Sequence, residues 1–141
     1  MWTFENTEVA AAPSAAVWDR WIAVGDWPKQ NPTLKSATLR GSFSEGARIN
    51  LVPKRGPKSS LVVSDVVSGT SFTGVGKIPF GELRIEHGLT PGDGPTSFTH
   101  RIVVTGPLAK VFGSIVGRQL AAALPGMMKI IAAEAESASA K

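Results

Sequence analysis

The 141-residue chain contains no cysteine, which removes disulfides, thiolate metal sites and cysteine nucleophiles together. Charge is also sparse, at 18% of residues, although the balance is +4. The basic residues are scattered. Their only tight group, Lys54, Arg55 and Lys58, surrounds Gly56-Pro57 and reads as a solvated hairpin turn. No recognition-helix pattern or aromatic-rich strand pair accompanies it, so nucleic acid is excluded as a partner. The N-terminus lacks a basic segment followed by an apolar one, and a cytoplasmic protein without a signal peptide is expected. There is no Ser-His-Asp order, no phosphate-cradling glycine loop and no paired-carboxylate motif. Gly74-x-Gly76 lacks the helix that a dinucleotide site requires. With no third ligand beside two histidines, no metal is expected, and no cofactor.

What the chain does have is a long apolar period near its end. Leu108, Phe112, Ile115, Leu120, Leu124, Met127 and Ile131 recur at steps of three to five residues, the signature of a helix with a buried stripe. The helix is expected from Pro107 to about Glu136, with Pro107 in its first turn and Gly106 or Thr105 as N-cap. Pro125-Gly126 should bend it. Lys110 and Arg118 interrupt the stretch, and no run approaches the ~18 apolar residues of a membrane span. Gly113-x-x-x-Gly117 permits close approach by a strand or a ligand.

Upstream, residues 2–9 alternate as a first strand. Pro13 opens a helix whose face is Val17, Trp18, Trp21 and Ile22, with Gly25 as its terminator. Asp26 caps a very short second helix at Trp27-Pro28, closed by Asn31-Pro32. The period then changes to 2. Strands are expected near 34–41, 46–53, 59–67, 70–78, 82–90 and 96–105, joined by short turns as an antiparallel meander. The fold class is α+β, in the order strand, two helices, six strands, long helix. Residues 1–136 form a single domain and 137–141 a frayed tail.

The last hairpin can be registered from its side chains. Pairing Leu83 with Val104, Ile85 with Ile102 and Leu89 with Phe98 places Glu86 opposite Arg101 on one face. On the other, apolar face His87 then lies opposite His100. Carried across the preceding turns, the same face yields a row of Asp65, Phe72, His87 and His100.

Several stretches resemble the START-like, helix-grip (SRPBCC) superfamily, and within it the polyketide cyclase/dehydrase-like branch. They are Ala12-Pro13 with Val17-Trp18, Trp27-Pro28, Asn31-Pro32, Glu86-His87, Thr99-His100-Arg101 and Gly106-Pro107-Leu108-Ala109. Gln30 departs from the pattern, because such proteins often carry a second tryptophan there. The resemblance implies a curved sheet of about seven antiparallel strands wrapped around the C-terminal helix, with an apolar cavity between them. The expected walls are Trp27, Phe72, Ile85, Phe98, Ile102, Phe112, Val116 and Leu120, with Gly74 and Gly76 leaving room. His87 and His100 are the polar groups.

Three functions remain open. The first is binding or carriage of a small hydrophobic molecule, of lipid, polyketide or aromatic class. The second is a cofactor-independent cyclase or dehydratase, with His87, His100 and Asp65 as acid/base groups. The third is an interaction module without a ligand. The bland reading of the histidines is a satisfied core pair. A monomer and a homodimer are equally compatible with the sequence.

Overall fold

The structure, a computed structural model, describes residues 1–140. Strand β1 (Trp2–Ala10) leads into helix α1 (Ser14–Ile22), a 3₁₀ turn (Val24–Asp26) and the one-turn helix α2 (Trp27–Gln30). Six strands follow: β2 (Leu34–Leu39), β3 (Arg48–Pro53), β4 (Ser59–Val67), β5 (Ser71–Ile78), β6 (Gly81–Leu89) and β7 (Thr96–Thr105). Helix α3 (Ala109–Ser139) completes the described chain. Lys141, part of the expected tail, lies outside the described residues.

The seven strands form one antiparallel sheet in the order β1-β7-β6-β5-β4-β3-β2. Consecutive hairpins build β2 to β7, and β1 returns to pair with the last strand. Along β1 the side chains alternate between half-buried and exposed, which is the two-residue period of a strand with one covered face. The covering element is α3, which packs on β1, α1 and β7. This is the α+β helix-grip arrangement. By length and a mean hydropathy of 1.2, α3 is apolar enough to cross a membrane. Its inner side buries Leu124, Met128, Ile131 and Ala135 against the sheet and α1.

The β6–β7 register is the expected one at every pair, including Glu86↔Arg101 and His87↔His100. Phe72 is opposite His87, so three members of the predicted row stand together.

Several expectations are corrected. Asp65 is not in the row. A bulge between Ser64 and Val67 gives Asp65 a left-handed φ of 54° and turns its side chain outward, where it pairs with Arg84 at 2.9 Å. Val66 takes the inward position against the core instead. The bulge is held by Glu45, whose two carboxylate oxygens accept from Asp65 N and Val66 N, each at 3.0 Å. Those two amides hold the Glu45 carboxyl below its usual pKa.

The helix ends also differ. Pro107 lies in a turn before α3 rather than inside it, with Leu108 at the N-cap. Gly106 has φ 108° and its backbone abuts Phe80; a Cβ there would sit 2.5 Å from Phe80 O, so both conformation and space call for glycine. Ala23, not Gly25, ends α1. Asp26 makes no side-chain cap bond, and its carboxylate pairs with Arg20 and Lys29 instead. At the C-terminus, α3 runs three residues beyond Glu136 to Ser139, through alanines and serines that carry little helical penalty.

The buried stripe of α3 shifts in its first turns. Residues Gly113–Gly117 form a π-turn, and Gly113 and Gly117 face inward beneath the Trp2 indole. A Cβ on Gly113 would lie 2.2 Å from the Trp2 ring and one on Gly117 2.5 Å, so only glycine admits that indole. Leu108, Val111 and Ile115 are consequently exposed.

Candidate functional site

Between the sheet, α2 and α3 lies a cavity of ≈ 240 Å³. That is small beside the roughly 300–1,000 Å³ of typical ligand pockets. Strand β6 supplies Ile85 and His87, and β7 supplies His100 and Ile102. Leu120, Ala123, Leu124 and Met127 come from α3. Trp27 and Gln30 of α2, with Asn31 and Thr33 beyond it, line another side, together with Pro53 and Ser59 from the β3–β4 hairpin. Among the described residues, no Lys, Arg, Asp or Glu lines it.

Of the predicted wall, Trp27, Ile85, His87, His100, Ile102 and Leu120 are brought together. Phe72 and Phe98 are not lining residues. Each is 1% exposed and packs behind the histidines as core. Phe112 and Val116 fall outside the lining because the π-turn directs the early face of α3 onto Trp2. Gly74 and Gly76 do not open space directly either. Leu61 straddles both, its Cδ1 and Cδ2 each 3.2 Å from where a Cβ would stand, and lines the cavity in their place.

Sequence reasoning missed Trp21 and Gln30. Helical spacing places Trp21 in the core; it is 2% exposed, yet it also forms part of the cavity wall. Gln30 replaces an expected aromatic, and its amide Nε2 donates to Glu134 Oε1 at 3.0 Å. That bond fixes the α2 corner to α3. The available signal was Gln30 itself, a polar residue between Trp27 and Asn31-Pro32 at a helix end.

The histidines sit in an aromatic cluster. His87 stacks on Phe72 with ring centroids 4.0 Å apart and planes inclined by 12°. His100 lies 4.3 Å from His87, and Trp21 is 5.4 Å and 5.6 Å from the two imidazoles. His87 Nδ1 is 3.0 Å from Ile85 O. A carbonyl can only accept, so the neutral ring carries its proton on Nδ1 and leaves Nε2 as a lone-pair acceptor. Burial lowers the His87 pKa from 6.5 to about 4, partly offset by the carbonyls of Ile85 and Phe72. Burial also lowers His100, with the neighbouring His87 acting in the same direction. Both rings are therefore neutral at pH 7. Trp21 Nε1 and both ring nitrogens of His100 are buried without hydrogen-bond partners among the described residues.

No protein-family model matches the chain, and no curated protein matches its sequence. Solved structures match its fold. The di-domain ARO/CYC StfQ of the steffimycin biosynthetic pathway superposes with a TM-score of 0.78 at 13% identity. That match covers 99% of this chain and 52% of the other, so the chain spans about half of that two-domain protein. A START superfamily protein from Mycobacterium smegmatis gives 0.66 at 13% identity, covering 98% and 97% of the two chains. TTHA0849 from Thermus thermophilus gives 0.72 at 11% identity, covering 97% and 99%. At these identities the likeness is one of fold, and it is the fold of START-like and polyketide-cyclase structures.

Proposed function

We propose that this chain binds a small, mostly apolar molecule in the cavity between sheet and helix, and holds it without turning it over. The observation that carries this reading is a ≈ 240 Å³ space walled by aliphatic and aromatic side chains, with no charged group among the described residues of its lining. A few polar groups in such a space fix orientation, while the apolar area supplies affinity. The helix-grip fold is compatible with binding and with catalysis alike, so the choice rests on the site.

The electrostatics favour binding over cyclase or dehydratase chemistry. General acid–base catalysis works best with groups that titrate near the operating pH. His87, at about 4, is a weak base at neutral pH, and His100 is displaced in the same direction. Asp65, the remaining acid/base candidate, lies on the outer face with Arg84. A pair of neutral imidazoles with no carboxylate beside them suits hydrogen bonding better than proton transfer.

The test is a titration with N-phenyl-1-naphthylamine, an uncharged fluorescent probe of about the cavity's size, against the wild type and Ala123→Phe. Ala123 lines the cavity from α3, and the larger side chain projects into the space. The expected result is saturable one-site enhancement in the wild type and its loss in a variant with an unchanged circular dichroism spectrum. No saturable binding by the wild type, or equal binding by the filled variant, overturns the reading.

A further inference from the structure

The core does not account for all the apolar surface of α3. Only 28% of its most apolar 18-residue stretch is buried, and Leu108, Val111 and Ile115 of its first turns are exposed. A second exposed apolar group adjoins them. The β5–β6 connection is the two-residue turn Pro79-Phe80, and the Phe80 carbonyl abuts Gly106, two residues before Leu108. Phe80 is 78% exposed, more than any other large apolar residue described. Its backbone is also strained. Pro79 fixes its own φ near about −65°, so the turn is type II, whose next position calls for Gly or Asn. Phe80 occupies that position with φ 62°. An aromatic is thus held in a costly conformation at a place where it packs on little of its own chain.

The strand pairing brings cations to the same end of the sheet. Ile78 pairs with Gly81 and Glu82 with Thr105, so the β5–β6 turn and the start of α3 share one end. Leu51 pairs with Ser59 and Val62 with Val75, which puts the β3–β4 turn there too, with Lys54, Arg55 and Lys58. Lys77 precedes Pro79-Phe80 on β5, and Lys110 follows Leu108 in α3. All five are exposed, and among the described residues none is in an ion pair. Segments 53–60, 77–81 and 106–118 contain no Asp or Glu. Glu82, next on β6, lies 3.9 Å from Arg84. Cations around a protruding aromatic suit an anionic surface with a yielding apolar interior. The ring can enter the acyl boundary while long basic side chains stay at phosphate level. A second copy fits worse, because a two-fold contact through this patch sets its cations against themselves.

We infer that this end of the sheet docks on the face of a lipid bilayer with anionic headgroups, Phe80 inserted and Lys54, Arg55, Lys58, Lys77 and Lys110 against the phosphates. The chain lies on the bilayer and does not cross it, since the inner side of α3 stays in the core. The inference stands independently of the binding function. The two are neighbours in space, because Pro53 and Ser59, which flank the β3–β4 turn, also line the cavity.

The test is co-sedimentation of the full chain with vesicles of phosphatidylcholine alone and of phosphatidylcholine mixed with phosphatidylglycerol. Partition onto the mixed vesicles should be at least about tenfold stronger and should weaken as salt is raised. Phe80→Asn removes the ring without changing charge, and asparagine accepts the left-handed backbone. It should therefore keep or raise the urea midpoint while weakening partition onto mixed vesicles by about tenfold or more. Lys54→Gln and Lys58→Gln, in exposed turn positions, should each weaken it about fivefold. No co-sedimentation of the wild type with mixed vesicles overturns the inference, as does equal partition onto both kinds. Undiminished partition by Phe80→Asn overturns it in favour of a merely electrostatic attraction. A concentration-dependent dimer in sedimentation velocity, dissolved by Phe80→Asn and without vesicle binding, overturns it in favour of self-association. None of these outcomes bears on the N-phenyl-1-naphthylamine titration, so the two readings fail separately.

Discussion

Acid should destabilise this protein through its two buried histidines. In the folded chain His87 takes up a proton only near pH 4, whereas an unfolded histidine does so near 6.5. Between those values the unfolded state binds more protons, so stability is complete above about pH 6.5 and falls as the pH drops. The gap for His87 is on the order of 3 kcal/mol by pH 4, at about 1.4 kcal/mol per pH unit. His100 is displaced in the same direction, so its loss adds to that of His87. Against a total stability of about 5–15 kcal/mol for a typical domain, the pair accounts for a large share.

Among the described residues no acidic side chain lines the cavity to stabilise an imidazolium, and the Glu86–Arg101 ion pair on these strands lies on the opposite face of the sheet. The Asp65 and Val66 amides hold the Glu45 carboxyl below its ordinary value, away from the cavity on the β4 bulge. The assay is urea unfolding followed by circular dichroism in steps from about pH 7.5 to about pH 4.5, where the two states differ in bound protons. His87→Phe/His100→Phe is the control. The midpoint of the wild type should fall steeply below about pH 6.5, and that of the double variant should stay nearly flat. A flat wild-type profile, or an equal slope in the double variant, would refute the account of two buried neutral imidazoles.

Two further substitutions test the placement of the surrounding elements. Gly117→Ala drives a methyl to within 2.5 Å of the Trp2 ring. It should destabilise the protein by about 1–3 kcal/mol in chemical denaturation, as overpacking does, and Trp2→Ala in the same chain should relieve most of the clash. Asp65→Asn removes an exposed ion pair with Arg84 and nothing from the cavity. It should change stability by less than about 1 kcal/mol and leave the affinity for N-phenyl-1-naphthylamine unaltered; a loss of binding would return Asp65 to the site.

The elements of the fold were legible because local chemistry and global arrangement agree along most of the chain. The change of period after Pro32, together with the turn residues, located every strand. The apolar pairs Leu83–Val104, Ile85–Ile102 and Leu89–Phe98 set the register that brings His87 opposite His100 and Glu86 opposite Arg101. Two of the misreadings share a cause: each depends on one residue inserted out of step. The bulge at Asp65 reverses which side chains face inward for the rest of β4, and alternation alone gives no sign of it. The π-turn at Gly113–Gly117 does the same to the first turns of α3, trading an apolar stripe for two glycines under an indole. The cavity wall was legible only in part, because depth is not written in periodicity. Phe72 and Ile85 share the inward face, yet one is packed behind a histidine and the other borders the void. Trp21 was readable as buried, but no sequence pattern shows that its indole N–H lacks a partner.

The pairing of β1 with β7 has a consequence for how the chain is made. Trp2 stands opposite Val104 in the sheet and beneath Gly113 and Gly117 of the final helix. During synthesis at about 5–20 residues per second, the roughly 100 residues between those partners take on the order of 5–20 s to emerge. Strands β2 to β6 can zip as successive hairpins in that interval, but β1 has no neighbour to join and the meander has no helix to close it. A nascent chain of this protein is thus an open-edged sheet with Trp2 and Phe4 uncovered. Its exposure to aggregation is governed by how quickly the ribosome delivers the last strand and helix.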